Sequence, residues 1–255
     1  MKYKVLIREY KDSDKDEVVN LLRLNTPTYF KVEEEKDLVY YLENEIEKYY
    51  VMEEGHQIIA LSRSNNTELE NLSNVSFYSV DLTNNLQVKS FANQIKEKYD
   101  HIDVIIHNAG AIINKPFEEI TTGEFEYIYK VNVFGVAALN SSILPLMQKG
   151  SHVVTISSMG GIQGSMKFPG LAAYSSSKAA VITLSELLAE EYKEKGIAFN
   201  VLALGAVQTE MLNEAFPGYI APLQPNEMAR YIKDFALTGN KFFNGKVLQV
   251  SSTTP

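Results

Sequence analysis

From residue 57 onward, short apolar runs alternate with segments whose apolar residues recur every three or four positions. The runs at 57–62 (QIIALS), 75–79 (VSFYS), 102–106 (IDVII), 151–157 (SHVVTIS), 197–203 (IAFNVLA) and 246–250 (KVLQV) are rich in Val and Ile and predict strands. The spacing between them predicts helices over 84–98, 121–147, 173–194 and 225–237. Strands with no polar face suit a parallel sheet covered on both sides. Regular alternation of strand and helix predicts a doubly wound α/β fold with right-handed crossovers. The stretch 211–225 (MLNEAFPGYIAPLQP), with three prolines and a glycine, reads as a structured loop.

The first 54 residues follow another pattern. Lys4–Arg8 is a short apolar run, and Asp12-Ser13-Asp14 opens a helix carrying Val18, Leu21, Leu22 and Asn25 at helical spacing. Pro27 ends it. A second helix, 33–47, begins with acids and aligns Leu38, Leu42 and Ile46, and Tyr49–Met52 is β-prone before a turn at Glu54-Gly55. This stretch contains no glycine and carries a net charge of −5 out of −8 for the whole chain. The shift in composition predicts a junction between 1–55 and 56–255.

Composition narrows the chemistry. The chain has 255 residues, 45% apolar and 22% charged, which suits one large α/β domain or two small ones. Without cysteine, it can build no disulfide, no thiolate metal site and no thiol nucleophile. The four histidines sit at no metal-ligand spacing. A charge of −8 argues against nucleic acid as a partner. No apolar run reaches the roughly 18 residues of a membrane span, and MKYKVLIREYKDSD lacks the apolar core of a signal peptide. A soluble cytoplasmic protein is the expectation.

The main chemical signal is Tyr174-Ser175-Ser176-Ser177-Lys178. Four residues apart on a helix, Tyr174 and Lys178 share a face. A nearby ammonium favours the phenolate, so the expectation is a Tyr174 pKa lowered from about 10 toward neutrality and a usable acid/base. Ser157-Ser158 ends one predicted strand, Asn108-Ala109-Gly110 follows another, and Asp81-Leu82 follows a third. In a parallel sheet these ends share one edge, where ligands bind. Asn132, in Lys130-Val131-Asn132-Val133-Phe134-Gly135, falls within a predicted helix.

On these motifs, residues 56–255 resemble the classical short-chain dehydrogenase/reductase family. The resemblance implies a Rossmann-like fold and a catalytic tetrad. Tyr174 would protonate a carbonyl, and Ser158 would polarise it, with Ser157 as the fallback. Lys178 would hold the nicotinamide ribose and lower the tyrosine pKa, and Asn132 would position a water in a proton relay. It also implies cofactor contacts at Asp81, Leu82, Asn108, Ala109, Gly110, Gly205, Val207 and Thr209, with Leu204-Gly205 in place of the family's Pro-Gly. Arg63 stands near where members that prefer NAD carry an acid, so NADP is the expected cofactor, with NAD as the alternative. The stretch 211–225 would be the substrate lid, with Phe216 and Tyr219 as apolar contacts. The expected partner is a small-molecule carbonyl or alcohol. The expected assembly is a homodimer or homotetramer through the helices bearing Asn132 and Tyr174.

The chain departs from that pattern at its start. The family opens with a buried strand and a glycine-rich loop, whose backbone approaches the pyrophosphate at a helix N-terminus. Here no glycine precedes Gly55. Residues 1–54 instead resemble the first strand–helix–helix–strand of a Gcn5-related N-acetyltransferase, carried by IREYKDSDKDEVVNLLRLNTP, the acidic second helix and YYVMEEG. The expected fold is therefore a Rossmann-like sheet whose first strand and glycine loop are replaced by a foreign segment. Losing a central strand leaves a slot flanked by unpaired backbone groups. Residues 3–9 could enter it parallel, or 48–53 antiparallel as a hairpin. With 3–9 in the slot, Glu9, Asp12, Asp14 and Asp16 would face the pyrophosphate. Each charge pair at about 4 Å would cost on the order of 4 kcal/mol before screening, which predicts weak cofactor binding or none. Two further readings follow: a catalytically inactive chimera or scaffold, and an acyl-CoA-dependent N-acetyltransferase.

Overall fold

A computed structural model describes residues 57–64 and 74–251. The predicted elements of residues 1–54 and the junction at 55–56 lie outside the described residues.

Among the described residues six strands form, in chain order β1 (Ile58–Ser62), β2 (Val75–Ser79), β3 (Val104–His107), β4 (His152–Ser158), β5 (Ala198–Leu204) and β6 (Lys246–Val250). Every pairing is parallel. Among the described residues the strands divide into a pair, β1–β2, and a four-stranded sheet, β3–β4–β5–β6. Among the described residues β1 pairs only with β2, and β3 only with β4. The two segments considered for the expected slot, 3–9 and 48–53, lie outside the described residues.

The principal helices are α1 (Asn85–Lys98), α2 (Thr122–Tyr129), α3 (Gly135–Ile143), α4 (Ala172–Glu191), α5 (Glu210–Ala215) and α6 (Pro225–Thr238). Their starts follow local chemistry. The Asn84 carboxamide accepts from the amides of Leu86 and Gln87, and Thr121 and Glu124 form a reciprocal capping box on α2. The single predicted helix over 121–147 is α2, a π-helical turn at Lys130–Phe134, α3, and a closing 3-10 turn at Leu144–Leu146. α5 occupies part of the stretch expected to be loop throughout, with Thr209 Oγ1 capping Leu212 N at 3.2 Å.

Alternation along the strands sorts the core into two layers. Val153, Phe199 and Ile105 face α1 and α3, against Val88, Phe91, Ile95, Leu139 and Ile143. Their neighbours Val154, Ile156 and Leu202 face α6, against Met228, Ile232 and Phe235. Helices thus cover both faces, as the doubly wound expectation required. Ile59 and Leu61 of β1 and Tyr78 of β2 pack into the first layer. Side chains therefore join the strand pair to the rest. Among the described residues, no helix is long and apolar enough to cross a membrane.

Candidate active site

Because β3–β6 run parallel, their C-terminal ends open on one edge. Asn108–Gly110, Ser158 and Gly205–Thr209 lie there, just beyond or at the ends of β3, β4 and β5.

α4 is seated on β4 by direct backbone approach. A methyl group added at Gly161 would come within 2.7 Å of the Lys178 carbonyl carbon, so only glycine fits. The Ser157 hydroxyl, buried, donates to the Lys178 carbonyl at 2.8 Å. That bond assigns Ser157 to docking the helix and leaves Ser158 as the serine facing the crevice. The Ser158 hydroxyl accepts from Gly160 N at 3.1 Å.

Tyr174 and Lys178 lie on one face of α4, with the ammonium 5.8 Å from the ring centroid. Lys178 is 5% exposed, and its Nζ donates to the Ile156 carbonyl at 2.9 Å. Burial lowers its pKa to about 8. Burial also raises the pKa of Tyr174, with the neighbouring Ser158 hydroxyl opposing it. This corrects the expected depression toward neutrality. Sharing a helix face with Lys178 does not by itself stabilise the phenolate, because withdrawal from water penalises that charge and the ammonium is directed at a backbone carbonyl.

Asn132 sits in the π-helical turn, a geometry that often marks functional sites. It is 2% exposed. Its Oδ1 accepts from Ala111 N at 2.8 Å, while its Nδ2 donates to the Ala111 carbonyl and to Ser177 Oγ, both at 2.9 Å. Asn132 therefore ties the loop after β3 to α4. Beside it, a methyl group added at Gly110 would lie 3.5 Å from Lys178 Nζ, 3.6 Å from Asn132 Oδ1 and 3.8 Å from Met211 Cε. Gly110, Asn132, Lys178 and Met211 thus converge on one small cradle.

The remaining expected positions are placed as follows. Asn108 and Ala109 are exposed at the strand edge. Asp81 Oδ1 accepts from both Thr83 N and Thr83 Oγ1 at 2.8 Å, which makes it a turn former. Leu82 packs so closely on α3 that a Cβ at Gly135 would meet its own Cβ at 2.8 Å. Arg63 donates to the Tyr127 hydroxyl at 2.7 Å, on the exposed side of α2. Gly205 N donates to the Val250 carbonyl at 2.9 Å, prolonging the pairing of β5 with β6. Val207 bridges to Leu223, and Thr209 caps α5. Phe216 meets Phe168 edge-on, with ring centroids 6.3 Å apart. Among the described residues, no group of three His, Asp or Glu could hold a metal ion.

Two contributors escape sequence reading: Met211, and Ser177 as the partner of Asn132. Thr209 followed by Glu210 has the signature of a capped helix start and could have flagged α5, and with it Met211.

Comparison with known proteins gives the same direction. A family described as short chain dehydrogenase matches residues 48–219. The oxidoreductase BOA17 of Botryotinia fuckeliana (strain B05.10) is 35% identical over 164 residues, covering 61% of this chain and 58% of that protein. The chain therefore spans less than two thirds of that relative's length. An NADPH-dependent pterin aldehyde reductase of Arabidopsis thaliana is 33% identical over 171 residues, covering 64% of this chain and 69% of the relative. The structure of ElxO with NADP bound has a TM-score of 0.66 at 28% identity, covering 84% of this chain and 90% of that one.

Proposed function

The chain belongs to the short-chain dehydrogenase/reductase family, and from that membership we propose that it is an NADP-dependent oxidoreductase interconverting a carbonyl and an alcohol. The observation that carries the reading is the shared face of Tyr174 and Lys178 on α4, with Ser158 at the end of β4 on the open sheet edge. The NADPH-dependent relative and the NADP-bound neighbour support the choice of cofactor.

The residues present fit the nicotinamide end of such a cofactor. Gly110 leaves free the space before Lys178 and Asn132 that a side chain would fill. Lys178, Asn108, Ala109, Gly110, Val207 and Thr209 would hold that end, Asp81 and Leu82 the adenine, and Arg63 the 2′-phosphate. When bound, the cofactor gives or takes the hydride.

The protein's own part is proton handling. Tyr174 holds its proton through neutral pH, because burial raises its pKa. It can therefore donate that proton to a carbonyl oxygen as charge develops there. Ser158, at the end of β4, would hold the same oxygen within reach. Asn132 fixes the loop carrying Gly110 against α4, which keeps the donor and the floor of the crevice in register. A cytoplasmic location and assembly as a dimer or tetramer belong to the same proposal. Exposed Phe134 and Leu187, in the π-helical turn and on α4, support a partner surface there.

The test is calorimetric titration of folded protein with NADPH and NADH, followed by a carbonyl screen. Saturable binding of NADPH with turnover is expected. Absence of any saturable signal at millimolar cofactor overturns the reading.

A further inference from the structure

Two segments far apart in sequence stand on either side of the crevice. One, 159–171, runs from Ser158 to the start of α4, and the other, 208–224, carries α5 and Met211. They are fastened to two adjacent residues of the loop after β3, one segment to each. Asn114 Nδ2 donates to the Ala215 carbonyl, the last residue of α5, at 2.7 Å. Lys115 N donates to the Gly170 carbonyl at 3.0 Å.

Gly170 makes room for this junction. Its φ is +89°, and an added Cβ would lie 2.0 Å from Asn114 Oδ1. The post itself is anchored, because Lys115 pairs with Glu124, the residue that closes the capping box of α2. Above the post, Phe168 of one segment and Phe216 of the other meet edge-on at 6.3 Å.

The chemistry of these segments is apolar at the solvent side. Met166, Phe168, Tyr219 and Ile220 are all exposed. Lys167 is the one cation the two segments contain. Its Nζ is turned onto its own loop, donating to the Ile162 carbonyl and Ser165 Oγ at 2.6 Å. An anionic substrate would meet no cation there that is not already engaged.

We propose that Asn114 is a positioning residue that holds Phe168 and Phe216 as paired walls of the substrate mouth, and that this mouth selects an apolar, ring-bearing carbonyl compound or its alcohol. The proposal rests on the oxidoreductase reading above.

The test compares the full chain with Asn114→Asp, which keeps the shape and removes the donor to Ala215. Two readouts are used. Hydrogen exchange of the ligand-free protein should quicken about tenfold across 211–220 and leave β4 and β5 unchanged. Kinetics with NADPH should show KM for acetophenone rising about tenfold, with KM for butanone, kcat and NADPH affinity held within about twofold. Unchanged exchange overturns the positioning role, whatever the activity. Equal rises in KM for both ketones overturn the selection. Wild type that binds NADPH and reduces butanone alone, or neither ketone, overturns the substrate class and leaves the cofactor reading standing. Wild type that binds no NADPH overturns the parent reading, and exchange still decides whether Asn114 latches the lid.

Discussion

The ammonium of Lys178 donates to the carbonyl oxygen of Ile156 at 2.9 Å, which ties the α4 lysine to the strand beneath it rather than to the tyrosine one turn away. Burial lowers the lysine pKa to about 8. The unfolded chain keeps this proton up to about pH 10.4. The unfolded state thus binds more protons between those values, and stability rises with pH across that window. Below it, burying the charge costs about 3 kcal/mol. Lys178→Met should therefore be more stable at pH 7 by about 1–3 kcal/mol, with the gain shrinking toward pH 10, and it should be inactive. Calorimetric melting at both pH values checks this, and a variant less stable than wild type at pH 7 would count against it.

Tyr174→Phe removes the proton donor and keeps the ring. Turnover should fall by about 10²–10⁴-fold while NADPH affinity changes little. Because burial raises the phenol pKa, kcat/KM for carbonyl reduction should show no loss from the phenol's own ionisation between neutral pH and its ordinary value of about 10. Alcohol oxidation needs the phenolate and should rise over the same range. A reduction limb that falls near pH 7 would contradict the raised pKa.

Arg63 lies just past β1, with its guanidinium on Tyr127. If it also receives the 2′-phosphate, Arg63→Ala should weaken NADPH binding by about 10–100-fold, the worth of one charge-assisted contact, and leave NADH binding nearly unchanged. Parallel titrations with both cofactors measure the ratio. Equal losses for the two would remove Arg63 from the phosphate site.

His107 closes β3 with its ring buried and its Nε2 2.7 Å from Asn140 Oδ1. Burial lowers its pKa to about 4, against 6.5 when free. Between these values the unfolded chain binds the extra proton. Stability is therefore whole above pH 6.5 and is lost progressively down to about pH 4, by about 3 kcal/mol in all. His107→Gln keeps a polar partner for Asn140 and removes the titration. Its melting temperature should vary less between pH 4 and 7 than that of wild type.

The strands were legible because burial on both faces leaves an unbroken apolar run. β3 shows the limit of that signal. The apolar pattern ends at Ile106, but the strand continues to His107, whose ring is buried by its bond to Asn140. The helix face shared by Tyr174 and Lys178 was legible from spacing. Their ionisation was not, because desolvation depends on what covers them. The choice between Ser157 and Ser158 needed the bond from Ser157 to the Lys178 carbonyl. The π-helical turn at Asn132 has no compositional signature, since it is a change of backbone register alone. α5 was hidden by the prolines and glycine that follow it. The junction at Asn114 joins residues about a hundred positions apart, which no local pattern reveals.

The divided sheet has a consequence for how the molecule opens. Among the described residues no ladder of backbone hydrogen bonds crosses from β1–β2 to β3–β6. The strand pair is held by Ile59, Leu61 and Tyr78 packed toward α1, with the Tyr78 ring 5.2 Å from that of Phe91. Among the described residues the pair meets the rest through side-chain packing, which can open without breaking the β3–β6 ladder. The pair should exchange its amide hydrogens at a lower free energy than β4 and β5, as a separate foldon that joins late in folding. Arg63 follows β1 and reaches α2 only through Tyr127, so the end of the crevice it would serve should loosen with the strand pair under mild denaturant.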